Sequence, residues 1–75
     1  VWPQPAKGVA YLTFEDPTFI AADAMITDIT GRLIQSTTIA NNNHEFDLNG
    51  FVPGIYQVVV IKNGQILFSN SLSVQ

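Results

Sequence analysis

Between Asp47 and Ile61 a turn signal and a strand signal are joined end to end: Asp47-Leu48-Asn49-Gly50-Phe51-Val52-Pro53-Gly54, then Ile55-Tyr56-Gln57-Val58-Val59-Val60-Ile61. Pro53-Gly54 is expected to turn, because the proline ring presets φ and glycine then takes a positive φ without a Cβ clash. The run behind it is dense in β-branched and aromatic residues, which fit a pleated surface and lose rotamer freedom in a helix. Tyr56, Val58 and Val60 share one face, and Ile55, Gln57, Val59 and Ile61 the other. Both faces are largely apolar, so the segment reads as a central strand, buried on one side and partly on the other.

A central strand needs partners, and the remaining segments supply them. Val1 to Gly8 carries Pro3 and Pro5 and is expected to be extended and irregular at the edge of the fold, with Trp2 closing one end of the core. Val9 to Phe14 alternates Ala10, Leu12 and Phe14 against Val9, Tyr11 and Thr13, a first strand ended by Glu15-Asp16-Pro17. Phe19 to Ala22 fits either a loop or a short bridging strand. Ala24 to Ile29 and Arg32 to Ile39 read as a hairpin, joined by a three-residue connection in which Asp28 opens a type I turn and Gly31 takes the left-handed position. Asn41-Asn42-Asn43 is a polar turn suited to left-handed backbone. His44 to Leu48 is a short strand with Phe46 and Leu48 inward, and Glu45 and Asp47 outward. Asn63-Gly64 is a type I′ hairpin signal. The last strand, Gln65 to Gln75, places Ile66, Phe68, Leu72 and Val74 inward and Ser71 and Ser73 outward. No stretch shows helical periodicity. The pattern predicts an all-β chain, a small immunoglobulin-like antiparallel β-sandwich of six or seven strands.

The chain has 75 residues, a single small domain. It has no cysteine and one histidine, so disulfides are excluded and no zinc site is expected. Net charge is −3, and the three basic residues, Lys7, Arg32 and Lys62, are scattered, which argues against nucleic acid and against an anionic membrane surface. Glu15, Asp16, Asp23, Asp28, Glu45 and Asp47 fall at strand ends or outward positions, where solvated surface is the expected role. Glu45 and Asp47 alone make a weak calcium signal. Asp28 and Arg32 can pair across their hairpin. His44 opens a strand beside a polar turn with no nucleophile motif near it, and the glycines precede no helix that could hold phosphate. No enzyme and no cofactor are expected. No charged n-region precedes an apolar stretch, so no signal peptide is expected, and the start at Val1 suggests a piece of a longer protein.

Taken in order, Pro-x-Pro-Ala-x-Gly near the start, Asp-x-Thr-Gly-Arg in mid-chain, Asp-Leu-x-Gly-Phe-x-Pro-Gly-Ile-Tyr and a final alternating strand resemble the C-terminal sorting domain of proteins exported by the type IX secretion system. The resemblance covers nearly the whole chain and places the family's motif on Pro3, Pro5 and Gly8; on Asp28, Gly31 and Arg32; on Pro53, Gly54 and Tyr56; and on Leu72 and Val74. It implies a transport tag at residues 1–75, the C-terminal piece of a larger exported protein. Such cargo crosses the periplasm, meets an outer-membrane translocon or its shuttle protein, and ends on the surface or secreted. In many members a sortase-like peptidase cuts upstream of the domain and joins the cargo to anionic lipopolysaccharide. Gln4 and Trp2 stand where the family usually has asparagine and commonly has tyrosine, and the last strand lacks the lysines that members often carry. The last departure bears on cleavage and attachment more than on export.

A strand left at a sheet edge exposes N–H and C=O groups that a partner can extend. The last strand is the expected recognition surface, through Ser69, Ser71, Leu72, Ser73, Val74 and Gln75, and an exposed edge also allows self-association. The alternative is a terminal immunoglobulin-like module binding carbohydrate or protein, for which exposed aromatics on one face would be the sign.

Overall fold

The computed structural model describes the backbone of residues 2–75 and the side chains of residues 8–75. It contains seven strands: β1 (Trp2–Lys7), β2 (Val9–Thr13), β3 (Asp23–Asp28), β4 (Leu33–Thr38), β5 (Asn43–Asp47), β6 (Gly54–Lys62) and β7 (Gln65–Val74). They run in the spatial order β4-β3-β6-β7-β1-β2-β5. The four strands β4-β3-β6-β7 form one antiparallel layer, and β2 with β5 form the other. β1 joins the layers, antiparallel to β2 and parallel to β7, where Ala6 stands opposite Val74. The expected irregular N-terminal segment is therefore a strand, and it lies between the sheets instead of at an edge. Its register shifts between Trp2 and Lys7, as fits a segment in which two prolines cannot donate to a ladder. The side chains of Trp2, Pro3 and Pro5 lie outside the described residues.

Alternation fills the space between the layers. Ala10, Leu12, Phe46 and Leu48 come from the small layer and its exit, and Ala24, Ile26, Val58, Val60, Leu72 and Val74 from the large one; all are buried. Ala22 and Ile39 seal the end near the β2–β3 connection. That connection is a loop containing a 3-10 turn, Pro17–Phe19, whose first amide donates to the Asp16 carboxylate through Thr18 (3.0 Å). Lys62 Nζ holds the loop by donating to the carbonyls of Thr18 (3.1 Å) and Ile20 (3.0 Å). Phe19 stacks on Phe14 at 4.7 Å.

The two hairpins take the expected turns. Asn63 and Gly64 have φ of 54° and 76°, the pair of left-handed residues that type I′ demands. Gly31 has φ 89°, its N–H donates to the Asp28 carbonyl (3.0 Å), and the Asp28 N–H donates to the Arg32 carbonyl (3.0 Å), closing a three-residue loop.

Three local expectations are corrected. Ile66 does not face inward: the β6–β7 register slips between Val60 and Ile61, so Ile66 pairs with outward Ile61 and is 61% exposed. A bulge adds one residue to one strand, and with a side-chain period of two that reverses every position beyond it. The hydrogen-bonded turn before β6 is not at Pro53-Gly54 but upstream, where the Phe51 N–H donates to the Leu48 carbonyl (3.0 Å) and Gly50 has φ 86°. Gly54, at φ 156°, already enters β6. The Asn41–Asn43 turn uses no left-handed residue; the Asn43 N–H instead donates to the Asn41 side-chain oxygen (3.0 Å).

Candidate recognition surface

The motif residues, far apart in sequence, gather at one pole of the sandwich. Asp28 stands opposite Tyr56, and Tyr56 opposite Leu72. Two rungs on, Gly54 stands opposite Val74, and Val74 opposite Ala6, the residue after Pro5. Gly8 turns β1 into β2 beside them, and its carbonyl accepts from the Leu48 N–H (3.0 Å).

Each motif side chain that is described has a structural task there. The Asp28 carboxylate accepts from the Thr30 hydroxyl (2.6 Å), the Thr30 N–H (2.9 Å) and the Arg32 N–H (3.0 Å). These bonds, that from the Thr30 hydroxyl above all, hold its pKa below the ordinary 3.8. Arg32 Nε lies 3.5 Å from the same carboxylate, the expected cross-hairpin pair, on a side chain left 77% exposed. The Tyr56 hydroxyl donates to the Val52 carbonyl at 2.6 Å. A tyrosine at the start of a strand, bonded back to backbone a few residues upstream, is the corner found in immunoglobulin-like sandwiches. The Tyr56 ring also packs on Phe51 at 5.1 Å.

What the turns leave outside is apolar. Ile29, Val52 and Ile55 are 82%, 72% and 54% exposed. Ile29 and Ile55 line a shallow depression of about 390 Å³ with Thr27, Asp28, Gly31, Tyr56 and Gln57. Sequence reasoning missed this patch. Its signal was hydrophobic residues written inside turn segments, Asp-Ile-Thr-Gly and Phe-Val-Pro-Gly, where neither alternation nor a core can use them.

The last strand differs from expectation. β7 lies between β6 and β1 in the sheet order, meeting β1 at its end, where Val74 stands opposite Ala6. Leu72 and Val74 are buried in the core and are not available for contact. Ser69, Ser71 and Gln75 are exposed and Ser73 is half-buried. Gln57 Nε2 donates to the Ser69 hydroxyl (2.7 Å), and the Ser71 N–H donates to the Asn70 side chain (2.9 Å). The end strands are β4 and β5, and side chains tie them together: Gln35 Nε2 donates to the Asp47 carbonyl (2.9 Å), and Thr37 Oγ1 is hydrogen-bonded to His44 Nε2 at 2.8 Å. Burial pulls the His44 pKa below its ordinary 6.5.

Among the described residues no three His, Cys, Asp or Glu side chains gather where a metal could sit. A second depression, about 440 Å³, is lined by Thr13, Phe14, Glu15, Asn42 and Asn43 and brings in one ionisable group only, too few for acid–base work. Phe14, Phe19, Phe51 and Tyr56 pack against the core, which removes them from a carbohydrate-stacking face.

The model of the family described as secretion system C-terminal sorting domain matches residues 1–75, the whole chain. No curated protein and no solved structure matches it.

Proposed function

Since the chain belongs to the secretion system C-terminal sorting domain family, and so is a type IX C-terminal sorting signal, we propose that an outer-membrane translocon or its shuttle protein reads the folded domain at the motif pole. The family is not one of enzymes, and membership implies export of the attached protein to the cell surface or beyond. The observation that carries the proposal is the convergence of four separate motif segments on one end, through the rungs Asp28–Tyr56–Leu72 and Gly54–Val74–Ala6, beside the exposed Ile29, Val52 and Ile55. Buried or hydrogen-bonded motif residues build that end; the apolar residues between them are what a partner can touch, since exposed contiguous apolar surface marks interaction sites. Ser73 and Gln75, at the same end of β7, extend the surface, while Ser69 and Ser71 face the outer side of the large layer further along.

In this reading residues 1–75 act as one C-terminal unit joined to upstream cargo, which passes through the periplasm before the translocon engages the domain. A sortase-like peptidase then cuts between cargo and domain and joins the cargo to anionic lipopolysaccharide.

Two variants test where the domain is read. Ile29→Asp with Ile55→Asp removes the apolar pole without touching a buried residue, and Ser69→Asp with Ser71→Asp alters the outer face. With the circular dichroism of both unchanged, the first should abolish export of a fused cargo and the second should leave it. Normal export from the pole variant, with loss from the serine variant, would move recognition to the β7 face and overturn the proposal.

A further inference from the structure

We infer that Thr30 is a positioning residue for recognition: through the Asp28 carboxylate it fixes the hairpin tip that holds Ile29 out toward a partner. The inference rests on the motif pole being the surface that is read. Ile29 is the most exposed large hydrophobic side chain among the described residues, at 82%. It lines the depression beside the hairpin together with Ile55, so the shape of that depression follows where the tip stands. Val52, the other apolar side chain raised by a turn at this pole, has its loop braced by the packing of Phe51 on Tyr56 at 5.1 Å. The tip carrying Ile29 is braced by Asp28 instead.

All three amides that follow Ile29 donate to Asp28. The Gly31 N–H meets its carbonyl (3.0 Å), and the Thr30 N–H (2.9 Å) and the Arg32 N–H (3.0 Å) meet Oδ1 of its carboxylate. The Thr30 hydroxyl donates to the same oxygen at 2.6 Å, the shortest of these bonds. Hydrogen bonds to an ionised acceptor are the strong ones. The charged group facing the carboxylate, Arg32 Nε, lies further off at 3.5 Å. Thr30 thus closes a bridge across Ile29, and its hydroxyl is the one member that can be removed without altering backbone or charge. A tip that moves must be ordered when a partner binds, and ordering one side chain weakens binding by about two- to tenfold.

The test is Thr30→Val, which keeps the branched shape and loses the hydroxyl, read in two assays. By NMR relaxation, the order parameters of the Ile29 and Gly31 amides should fall from about 0.85, the rigid value, toward about 0.6. As a tag on a periplasm-directed fluorescent cargo in a strain with a working type IX system, the variant should be exported about two- to tenfold less. Thr30→Ser should restore both. Lys62→Met unties the loop at Thr18 and Ile20, at the other end of β6, and should leave export unchanged at equal folded fraction. Unchanged order parameters in Thr30→Val, or full export despite a loosened tip, overturn the inference while Ile29→Asp with Ile55→Asp still abolishes export. Export that survives that double variant overturns the reading of the pole itself, and this inference with it.

Discussion

The Tyr56 corner gives the sharpest prediction, because it separates a motif residue that shapes the domain from one that a partner touches. Tyr56→Phe removes a single oxygen. The ring keeps its place against Phe51 and the partly buried position beside the core, while the 2.6 Å bond to the Val52 carbonyl is lost. That bond is exposed, so water can take over the carbonyl and no buried acceptor is orphaned. The loss should then sit near the ordinary net value of one hydrogen bond, about 1 kcal/mol. A domain of this length is stable by about 4–11 kcal/mol, so the change is a sizeable fraction of the total. With a urea slope of about 1 kcal/mol/M, the unfolding midpoint should fall by about 1 M with the slope unchanged. Export at a temperature where the variant is folded should be normal, since the hydroxyl is committed to the Val52 carbonyl. A midpoint within about 0.2 M of wild type would refute the structural role of the corner, and lost export from a folded Tyr56→Phe domain would make the hydroxyl a recognition group.

Other consequences can be read from local geometry. Gly31→Ala meets no atom within 4 Å but must hold φ +89°, so it should cost about 1–2 kcal/mol of backbone strain, seen as a fall in melting temperature of roughly 5–15 °C. Ala21 already sits at φ 69° with its side chain exposed; Ala21→Gly relieves that conformation and should be neutral or stabilising by up to about 1 kcal/mol in the same melt. Because burial lowers the His44 pKa below 6.5, the unfolded chain binds more protons in that region. Stability should be complete above pH 6.5 and be lost as pH falls through the folded-state pKa, a step that His44→Gln removes in urea midpoints taken across pH. A second decline should begin below pH 3.8, where Asp16 and Asp28, both held low by hydrogen bonds, take up protons.

The parts legible in sequence were those decided by neighbours in the chain. Asn63-Gly64 and Asp28–Gly31 make their turns from their own φ preferences and side-chain oxygens, and Ala10, Leu12, Ala24, Ile26, Val58 and Val60 alternate cleanly because the β2–β5 and β3–β6 pairs each keep one register. The illegible parts were decided at long range. The parallel Ala6–Val74 contact unites the two ends of the chain, and nothing in Pro3 to Pro5 announces a strand that can pair in this way. The inward placement of Ile66 failed on one added residue that only the pairing with β6 reveals. β7 read as an edge because its partner is β1, the segment whose prolines argued against a strand. The motif itself was visible as spacing, but its meaning was not: Asp28, Gly31 and Tyr56 are turn and corner residues, and the surface they raise is made of Ile29, Val52 and Ile55 between them.

The most direct measurement of the sorting role is delivery of a foreign cargo. Residues 1–75 are fused behind a periplasm-directed fluorescent protein in a strain with a working type IX system and in one lacking the translocon. Fluorescence at the surface or in the medium of the competent strain alone is the predicted result, with the mass of the delivered protein showing whether the domain was cut away. Retention in the periplasm of both strains, with the domain folded, would contradict it.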